Sequence, residues 1–114
     1  MSNKTSFLLE FSMFPTSSDC RDGSSVSKQV SQIIDMIDKS RVNYKLTPMG
    51  TVIETDNIKD ALSIVEKAYE CLSDCERVYS ALKFDIRKNT SNRLTGKIAS
   101  VEKALGKSVN KYFS

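Results

Sequence analysis

The sequence predicts an α+β fold in which one four-stranded antiparallel sheet carries helices on a single face. Long stretches of alternating apolar and polar residues lie near each end of the domain, as expected for strands. Elsewhere, apolar residues repeat every three or four positions, as expected for amphipathic helices. A Pro-Met-Gly turn in the middle of the chain joins two shorter alternating segments and indicates a hairpin.

The first part of the chain predicts a strand followed by a helix. From Ser6 to Pro15 the residues alternate, and one side of this strand is wholly apolar. Pro15 ends the strand, and a polar loop follows over 16–23. Ser24 or Ser25 is placed to cap the helix. Its apolar stripe consists of Val26, Val30, Ile33, Ile34 and Ile37.

The middle of the chain predicts a hairpin and a second helix. The first helix is expected to end near Ser40, and residues 42–46 alternate as a second strand. Pro48 suits the second position of a turn, and Gly50 can adopt the left-handed conformation that closes it. After a third strand, Asp56 is a good helix cap. The stripe of this helix consists of Ile58, Leu62, Val65, Tyr69 and Leu72.

The last part of the chain predicts a fourth strand and a third helix. Residues 77–88 alternate, and an apolar stripe from Leu94 to Leu105 stops at Gly106. Right-handed crossovers place the first two helices on one face of the sheet. We therefore expect a single ferredoxin-like domain over residues 1–114, with an added C-terminal helix. The tail after Gly106 is expected to be less ordered or to dock on a partner.

Composition narrows the classes of function. Hydrophobic residues make up 39% and charged residues 27% of the 114 residues, which is the balance of a globular domain. No apolar run approaches the roughly 20 residues of a membrane span, and the first residues lack the apolar segment of a secretory signal. The net charge of +3 is spread along the chain and does not indicate nucleic acid. We expect a cytoplasmic protein with neither nucleic acid nor membrane as a partner.

Ionisable side chains indicate neither a metal nor a cofactor. The chain has no histidine, which removes the usual general base and the commonest metal ligand. Cys20, Cys71 and Cys75 form an odd set, which fits a reducing compartment better than a disulfide framework. Cys71 and Cys75 are predicted to lie one turn apart on a helix, with Cys20 as the one further thiol. We expect free thiols.

One face of the sheet is expected to stay uncovered by the two crossover helices. Its members are Glu10, Ser12, Phe14, Asn43, Lys45, Thr47, Glu54, Lys83, Asp85 and Arg87. One interpretation is a solvated face, where cross-strand charge pairs contribute a few tenths of a kcal/mol. The other is a hydrogen-bonding surface that a second subunit closes around a polar ligand. In either case Glu54 is expected to contribute little to folding.

Four segments, taken in order, resemble the small thiamine-binding protein family, which includes the YkoF-like proteins. They are LLEFSMFP, GSSVSKQV, YKLTPMGTVIET and ERVYSALKFDIRKN, and the similarity extends from about residue 6 to residue 105. LTPMGTVIE is the most specific part. The resemblance implies non-catalytic binding of thiamine or its hydroxymethylpyrimidine moiety. It also implies a homodimer or homotetramer that buries the third helix and the open sheet face between subunits.

The resemblance further implies which residues lie at the ligand. The ligand region is expected to contain Ser12, Met49, Gly50, Thr51 and Glu54. The same pocket or the subunit contact is expected to be framed by Lys83, Asp85 and Arg87. Ser25 and Ser27 match the family's SVS element at the start of the first helix. The loop after Pro15, TSSDCRDG, is longer and more charged than the family's usual loop and is expected beside the pocket mouth.

The side-chain chemistry is compatible with an aminopyrimidine. The carboxylate of Glu54 can accept a hydrogen bond from the exocyclic amine, and the hydroxyl of Ser12 or Thr51 can serve a ring nitrogen. The thioether of Met49 suits a ring face, and Phe14 can stack on the ring. The alternatives are a plain turn residue for Met49 and a plain surface charge for Glu54.

Other functions share this fold. A structural or regulatory homo-oligomer would use the sheet face for assembly alone, without a small ligand. An RNA-binding module would need exposed aromatic residues on a basic sheet, whereas this open face carries Glu10, Glu54 and Asp85. A small phosphatase would use an arginine such as Arg21 in the loop after the first strand, but no pair of nucleophile and base stands out.

Overall fold

The structure is a computed structural model that describes residues 4–21 and 27–108, with the backbone alone for residues 95–98. The elements are β1 (Thr5–Pro15), α1 (Ser27–Ser40), β2 (Asn43–Thr47), β3 (Gly50–Thr55), α2 (Ile58–Glu70), β4 (Val78–Lys88) and α3 (Arg93–Leu105). A turn of 3₁₀ helix, Ser18–Cys20, follows β1. The predicted order of strands and helices is confirmed. The predicted cap at Ser24 or Ser25, the stripe residue Val26 and the end of the tail lie outside the described residues.

The strands form one antiparallel sheet in the order β2-β3-β1-β4, which confirms the predicted ferredoxin-like arrangement. β1 lies in the middle, with Leu9 opposite Ile53 of β3 and Phe84 of β4. Because strand side chains alternate, these residues share one face of the sheet. Glu10, opposite Lys83, then belongs to the other face, as predicted.

The core lies between one face of the sheet and the helices α1 and α2. Its buried members are Leu9, Phe11, Met13, Ile33, Ile37, Ile53, Ala61, Ile64, Ala68 and Leu72. On the edge strand β4, Leu82 and Ile86 point to the same face but are 43% and 50% exposed. The two helices therefore cover the centre of the sheet and leave the β4 edge open.

Helix α2 and the residues just after it bury only part of the predicted stripe. The predicted residues Ile58, Leu62 and Tyr69 are about half exposed, whereas Ala61 and Ala68 are fully buried. A small side chain lets the helix backbone approach the sheet closely, so the alanines face inward. The larger apolar residues then lie on the flank of the helix. The prediction was wrong for Ile58, Leu62 and Tyr69. It holds for Leu72, which is 1% exposed just beyond the helix, and for Val65, which packs against the core.

The cap of α2 and the conformation of Gly50 also differ from the predictions. The side-chain oxygen of Asn57, rather than Asp56, accepts a hydrogen bond from the backbone N–H of Asp60 at 2.8 Å. Gly50 has a φ of 159°, far from the left-handed helical region, and it is the first residue of β3. The turn between the strands is therefore made by Pro48 and Met49 alone.

The prediction that all the cysteines are free thiols is wrong. Cys20 and Cys75 form a disulfide with their Cα atoms 5.6 Å apart, and Cys71 is free. Helix α2 ends at Glu70, so Cys75 lies beyond the helix rather than one turn from Cys71 on it. The chain turns after α2 and brings Cys75 to the 3₁₀ turn behind β1. The cytoplasmic location stays a prediction.

Helix α3 starts on the open face of the sheet and exposes its later residues. Val101 and Leu105 are 41% and 55% exposed. The predicted end at Gly106 is confirmed, because this residue is left-handed, with a φ of 74°, and donates its N–H to the carbonyl of Glu102 at 2.8 Å. Neither α3 nor any other helix within the described ranges is long and apolar enough to cross a membrane.

The close approach of α2 predicts that Ala68 cannot be enlarged. We expect Ala68→Leu to lower the free energy of unfolding by about 1–3 kcal/mol, because overpacking forces neighbouring side chains or backbone to move. The matched control is Ala104→Leu on the exposed side of α3, which is expected to change it by less than about 0.5 kcal/mol. Urea denaturation measures both. An equal effect of the two variants would contradict the packing of α2.

Candidate functional site

A cavity of about 250 Å³ opens beside the hairpin of β2 and β3. We call it the hairpin cavity. It brings together half of the predicted ligand residues, namely Ser12, Phe14, Met49, Gly50 and Thr51. Its other lining residues are Phe11, Met13, Val30, Ile33, Ile34, Leu46, Thr47 and Pro48. The end of β1, the hairpin turn and the first half of α1 therefore form its walls.

The hydroxyl of Thr47 fixes the turn at the mouth of this cavity. Its Oγ1 accepts hydrogen bonds from the backbone N–H groups of Met49, at 3.2 Å, and Gly50, at 3.1 Å. It donates to the carbonyl of Gly50 at 2.8 Å. The turn is thus held by its own side chain, while Met49 stands 84% exposed at its tip. A ligand in the cavity meets a preformed turn with a free thioether beside it.

Gly50 is required by a close approach of two backbones. A Cβ atom at this position would lie 2.9 Å from the carbonyl oxygen of Phe11, a distance that real contacts do not allow. The absence of a side chain lets β3 start directly against β1. The same contact places the hairpin turn next to Ser12 and Phe14.

One edge of β1 is open at the cavity. In the register, β1 pairs with β3 only as far as Phe11, opposite Thr51, whereas its pairing with β4 continues to Pro15. The backbone from Ser12 to Phe14 therefore has a strand neighbour on one side only. Backbone N–H and C=O groups on such an edge are ready to bond a flat polar ligand, as they bond an added strand.

The walls of the hairpin cavity are uncharged along the part of the chain that the structure describes. Val30, Ile33 and Ile34 of α1 supply an apolar side, and Ser12, Thr47 and Thr51 are polar residues of the lining. A charged group entering such a cavity would lose water without gaining a counter-charge. The arrangement suits a neutral ring with a few hydrogen-bonding atoms.

Glu54 does not line this cavity but holds the start of α3. Its carboxylate accepts hydrogen bonds from the hydroxyl of Ser6 at 2.5 Å and from the backbone N–H of Arg93 at 3.0 and 3.1 Å. The N–H of Leu94 lies 3.4 Å away. Asn92 is the N-cap residue of α3 but makes no side-chain cap bond, so the carboxylate of another strand takes that role.

Arg93 completes this cluster on the open face. Its guanidinium donates to the hydroxyl and the carbonyl of Ser6 at 2.9 and 2.7 Å. It also donates to a carboxylate oxygen of Asp85 at 2.7 Å and to the carbonyl of Asp85 at 2.5 Å. The Arg93 side chain is only 12% exposed, and these partners compensate for its burial. We call Ser6, Glu54, Asp85 and Arg93 the α3 anchor.

The surroundings of Glu54 keep its carboxyl ionised. Burial raises the pKa of this group, but the hydrogen bonds from Ser6 and from the N–H groups of Arg93 and Leu94, together with the Arg93 charge, outweigh it. The pKa therefore lies below the ordinary value of 4.5. Glu54 lies on the open face of the sheet, as expected, but α3 brings hydrogen-bond partners to it there. We therefore expect Glu54 to contribute to folding, contrary to the prediction from the sequence.

The other predicted ligand residues lie away from the hairpin cavity. Lys83 pairs with Glu10 at 3.8 Å on the exposed part of the sheet, and Arg87 lies opposite Ser6 at the far end of β4. Ser27 is the exposed first residue of α1, one turn before Val30. A polar cavity of about 290 Å³ borders Glu54 on the Lys4 and Arg41 side. The ligand roles of these residues stay predictions.

Sequence reasoning missed Arg93, Ser6 and Thr47 as site-forming residues. Thr47 could have been found, because a threonine just before a Pro-containing turn often bonds the turn backbone. The sequence gives a weaker indication of the α3 anchor. The first turn of α3 contains a basic residue and no acidic one, so the helix start has no negative charge from its own residues. Along the described ranges, no cluster of His, Cys, Asp or Glu is placed to hold a metal ion.

Comparison with known proteins adds to this geometry. Residues 9–102, most of the chain, match the family described as thiamine-binding protein. The chain belongs to this family. A UPF0045 protein from Staphylococcus xylosus is 34% identical over 90 residues, which are 74% of this chain and 83% of that protein.

Two solved structures have the same fold as this chain. The crystal structure of a hypothetical protein from Methanocaldococcus jannaschii has a TM-score of 0.67 at 32% identity, over 89% of this chain and 96% of that chain. A Thermotoga maritima structure, described as a candidate thiamine biosynthesis/salvage protein, has a TM-score of 0.62 at 16% identity. It covers 84% of this chain and 98% of that chain, and at this identity it shows the fold alone.

The α3 anchor predicts that Glu54→Gln destabilises the start of α3. We expect the first-turn amides to exchange faster and the unfolding free energy to fall by about 1–3 kcal/mol, since hydrogen bonds to a charged group are lost. The matched control is Glu10→Gln, whose exposed ion pair with Lys83 contributes about 0–1 kcal/mol. Hydrogen exchange and urea denaturation measure both. Equal protection of α3 in the two variants would contradict the anchor.

The same anchor predicts an acid-sensitive contact. The pKa of Glu54 is lower in the folded chain than its ordinary value of 4.5, so its stabilisation is complete above that pH and is lost as the pH falls through the folded pKa. We expect the protection of the α3 amides to decrease below about pH 4.5. In Glu54→Gln this dependence should disappear. Protection that falls with pH equally in both proteins would assign the effect to other groups.

Proposed function

We propose that this member of the thiamine-binding protein family binds thiamine or its hydroxymethylpyrimidine moiety, without catalysis, in the hairpin cavity. One observation carries the proposal: Ser12, Phe14, Met49 and Thr51, from separate parts of the chain, meet around one cavity. The family name and the description of the Thermotoga maritima neighbour support the choice of ligand.

The size of the cavity favours a single ring. At about 250 Å³ it lies just below the roughly 300–1,000 Å³ that is typical of pockets for larger ligands. The pyrimidine would enter between the open backbone edge of β1 and the apolar side of α1, with Met49 against its outer face. The thiazolium part of thiamine would remain at the mouth of the cavity, where its positive charge stays hydrated.

The polar groups around the cavity match the edge of an aminopyrimidine. The ring presents nitrogen acceptors beside an amine donor. The hydroxyl of Ser12 or of Thr51, which lie on opposite faces of the sheet, can donate to a ring nitrogen, and the open edge of β1 can accept from the amine. Glu54 remains a further candidate for the amine only where a neighbouring subunit or a movement of α3 brings it to the ligand.

Assembly into a homodimer or homotetramer is the second part of the proposal. Val101 and Leu105 on α3, and Leu82 and Ile86 on β4, are each more than 40% exposed. These residues lie on both faces of the sheet, and contacts with further copies that cover them would bury apolar area that the single chain leaves in water. A homo-oligomer that uses these surfaces for assembly alone, with no small ligand, is the alternative function.

Titration with thiamine and with hydroxymethylpyrimidine tests the ligand. At a ligand concentration about 100 times the dissociation constant we expect a stabilisation of about 2.7 kcal/mol, seen as a raised melting temperature. Ser12→Ala is expected to weaken binding by about 0.5–1.5 kcal/mol, the contribution of one hydrogen bond. Ser80→Ala, a serine on β4 outside the cavity, is the matched control and should bind like the parent. No heat and no thermal shift with either compound would favour the assembly module.

Light scattering over a range of concentrations tests the assembly. We expect the mass of a dimer or a tetramer, because the exposed apolar residues of α3 and β4 lose contact with water in the assembly. Replacing Leu105 by Glu should shift the mass towards that of the monomer, whereas Lys107→Glu, just beyond the end of the same helix, should not. A monomer mass at every concentration would contradict this part of the proposal.

A further inference from the structure

The Cys20–Cys75 disulfide joins two segments that are 55 residues apart in the sequence. Cys20 ends the 3₁₀ turn behind β1, and Cys75 lies in the connection between α2 and β4. Both cysteines are partly exposed, so a dissolved thiol can reach the bond. The link therefore lies at the common end of β1 and β4.

Hydrogen bonds hold the same two segments together without the disulfide. The N–H of Thr16 donates to the carbonyl of Arg77 at 2.9 Å, and the N–H of Arg77 donates to the hydroxyl of Ser17 at 3.0 Å. The carboxylate of Asp19 accepts from the N–H of Glu76 at 3.1 Å. After reduction these bonds would keep the two thiols near each other, so that the bond can form again quickly.

The clamped segment is continuous with the hairpin cavity. Phe14 and Pro15 pair with Tyr79 and Val78 at the end of the ladder between β1 and β4, and Phe14 lines the cavity. The disulfide thus fixes the strand end on which a cavity wall is built. Ladder ends fray readily unless something ties them down.

We propose that Cys20 and Cys75 form a reversible thiol–disulfide switch that tightens the wall of the hairpin cavity when oxidised and loosens it when reduced. The effect on ligand affinity rests on the function proposed above. The effect on amide exchange at the ends of β1 and β4 does not depend on that function.

The chemistry of the switch needs only a small thiol and its disulfide, such as the glutathione couple. A thiolate attacks one sulfur of the bond, a mixed disulfide forms, and the other cysteine leaves and takes up a proton. A second thiolate then releases the first cysteine and forms the small disulfide. In total, two electrons and two protons pass to Cys20 and Cys75, and the reverse sequence oxidises them.

The switch can be tested on the full chain in which Cys71→Ser removes the remaining thiol. The protein is equilibrated in buffers of reduced and oxidised glutathione, and alkylation followed by mass measurement counts the thiols. We expect one transition in which two thiols appear together. We also expect amide exchange at Phe14, Thr16, Ser17 and 77–79 to rise roughly tenfold on reduction, and the core strands to stay protected.

Matched variants and ligand titration complete the test. Cys20→Ser and Cys75→Ser should each show the exchange of the reduced form in every buffer. The hydroxymethylpyrimidine affinity of the oxidised form should exceed that of the reduced form by several-fold. Exchange that is the same in both redox states, or a bond that no glutathione ratio breaks, would overturn the switch. Absence of binding in both states, with the exchange difference intact, would overturn the proposed ligand and keep the switch.

Discussion

The pairing of β1 with both of its neighbours is the constraint on which the rest of the structure depends. Leu9 lies opposite Ile53 on one side and Phe84 on the other, so a slip of one residue would turn the apolar set of β1 away from α1 and α2. The same register sends Ser6 and Glu10 to the opposite face. Every feature of functional interest lies at an end of this strand or on that face.

At the beginning of β1, the register produces the α3 anchor. Ser6 and Glu54 reach the same face of adjacent strands, and Asp85 joins them from β4. These groups would be ordinary surface side chains without α3. The arrival of Arg93 changes them into a connected set in which a carboxylate caps a helix and a nearly buried guanidinium finds its partners. A face that is open by topology is thus partly closed by the chain itself.

At the end of β1, the register produces the hairpin cavity. β3 begins at Gly50, so β1 runs beyond it and leaves an edge that no strand covers. The tight contact between Gly50 and the carbonyl of Phe11 sets the width of the gap, and Thr47 holds the turn in place. The cavity and the anchor therefore lie at opposite ends of the sheet. This separation places Ser12, Phe14, Met49, Gly50 and Thr51 at the cavity and Glu54 and Asp85 at α3, while Ser27, Lys83 and Arg87 lie at neither.

Much of the fold and part of the candidate site could be predicted from the sequence, because local sequence patterns indicate them. Alternation indicated the long strands, the turn signal indicated the hairpin, and Gly106 marked the end of α3. The cavity residues on the turn were predicted from the resemblance of their segment to a family. The inward positions of Ala61 and Ala68 were not predicted, since these alanines face the core only because the sheet lies close to the helix.

The sequence by itself determined the order of elements, the two faces of the sheet and the family to which the chain belongs. These follow from periodicity and from short ordered motifs, which need no knowledge of distant contacts. Only the tertiary structure decided that Glu54 caps a helix 39 residues away, that Cys20 meets Cys75, and that Met49 and Glu54 point to different places. Such pairings depend on how the loops bring distant segments together, and the sequence around each residue does not identify its partner.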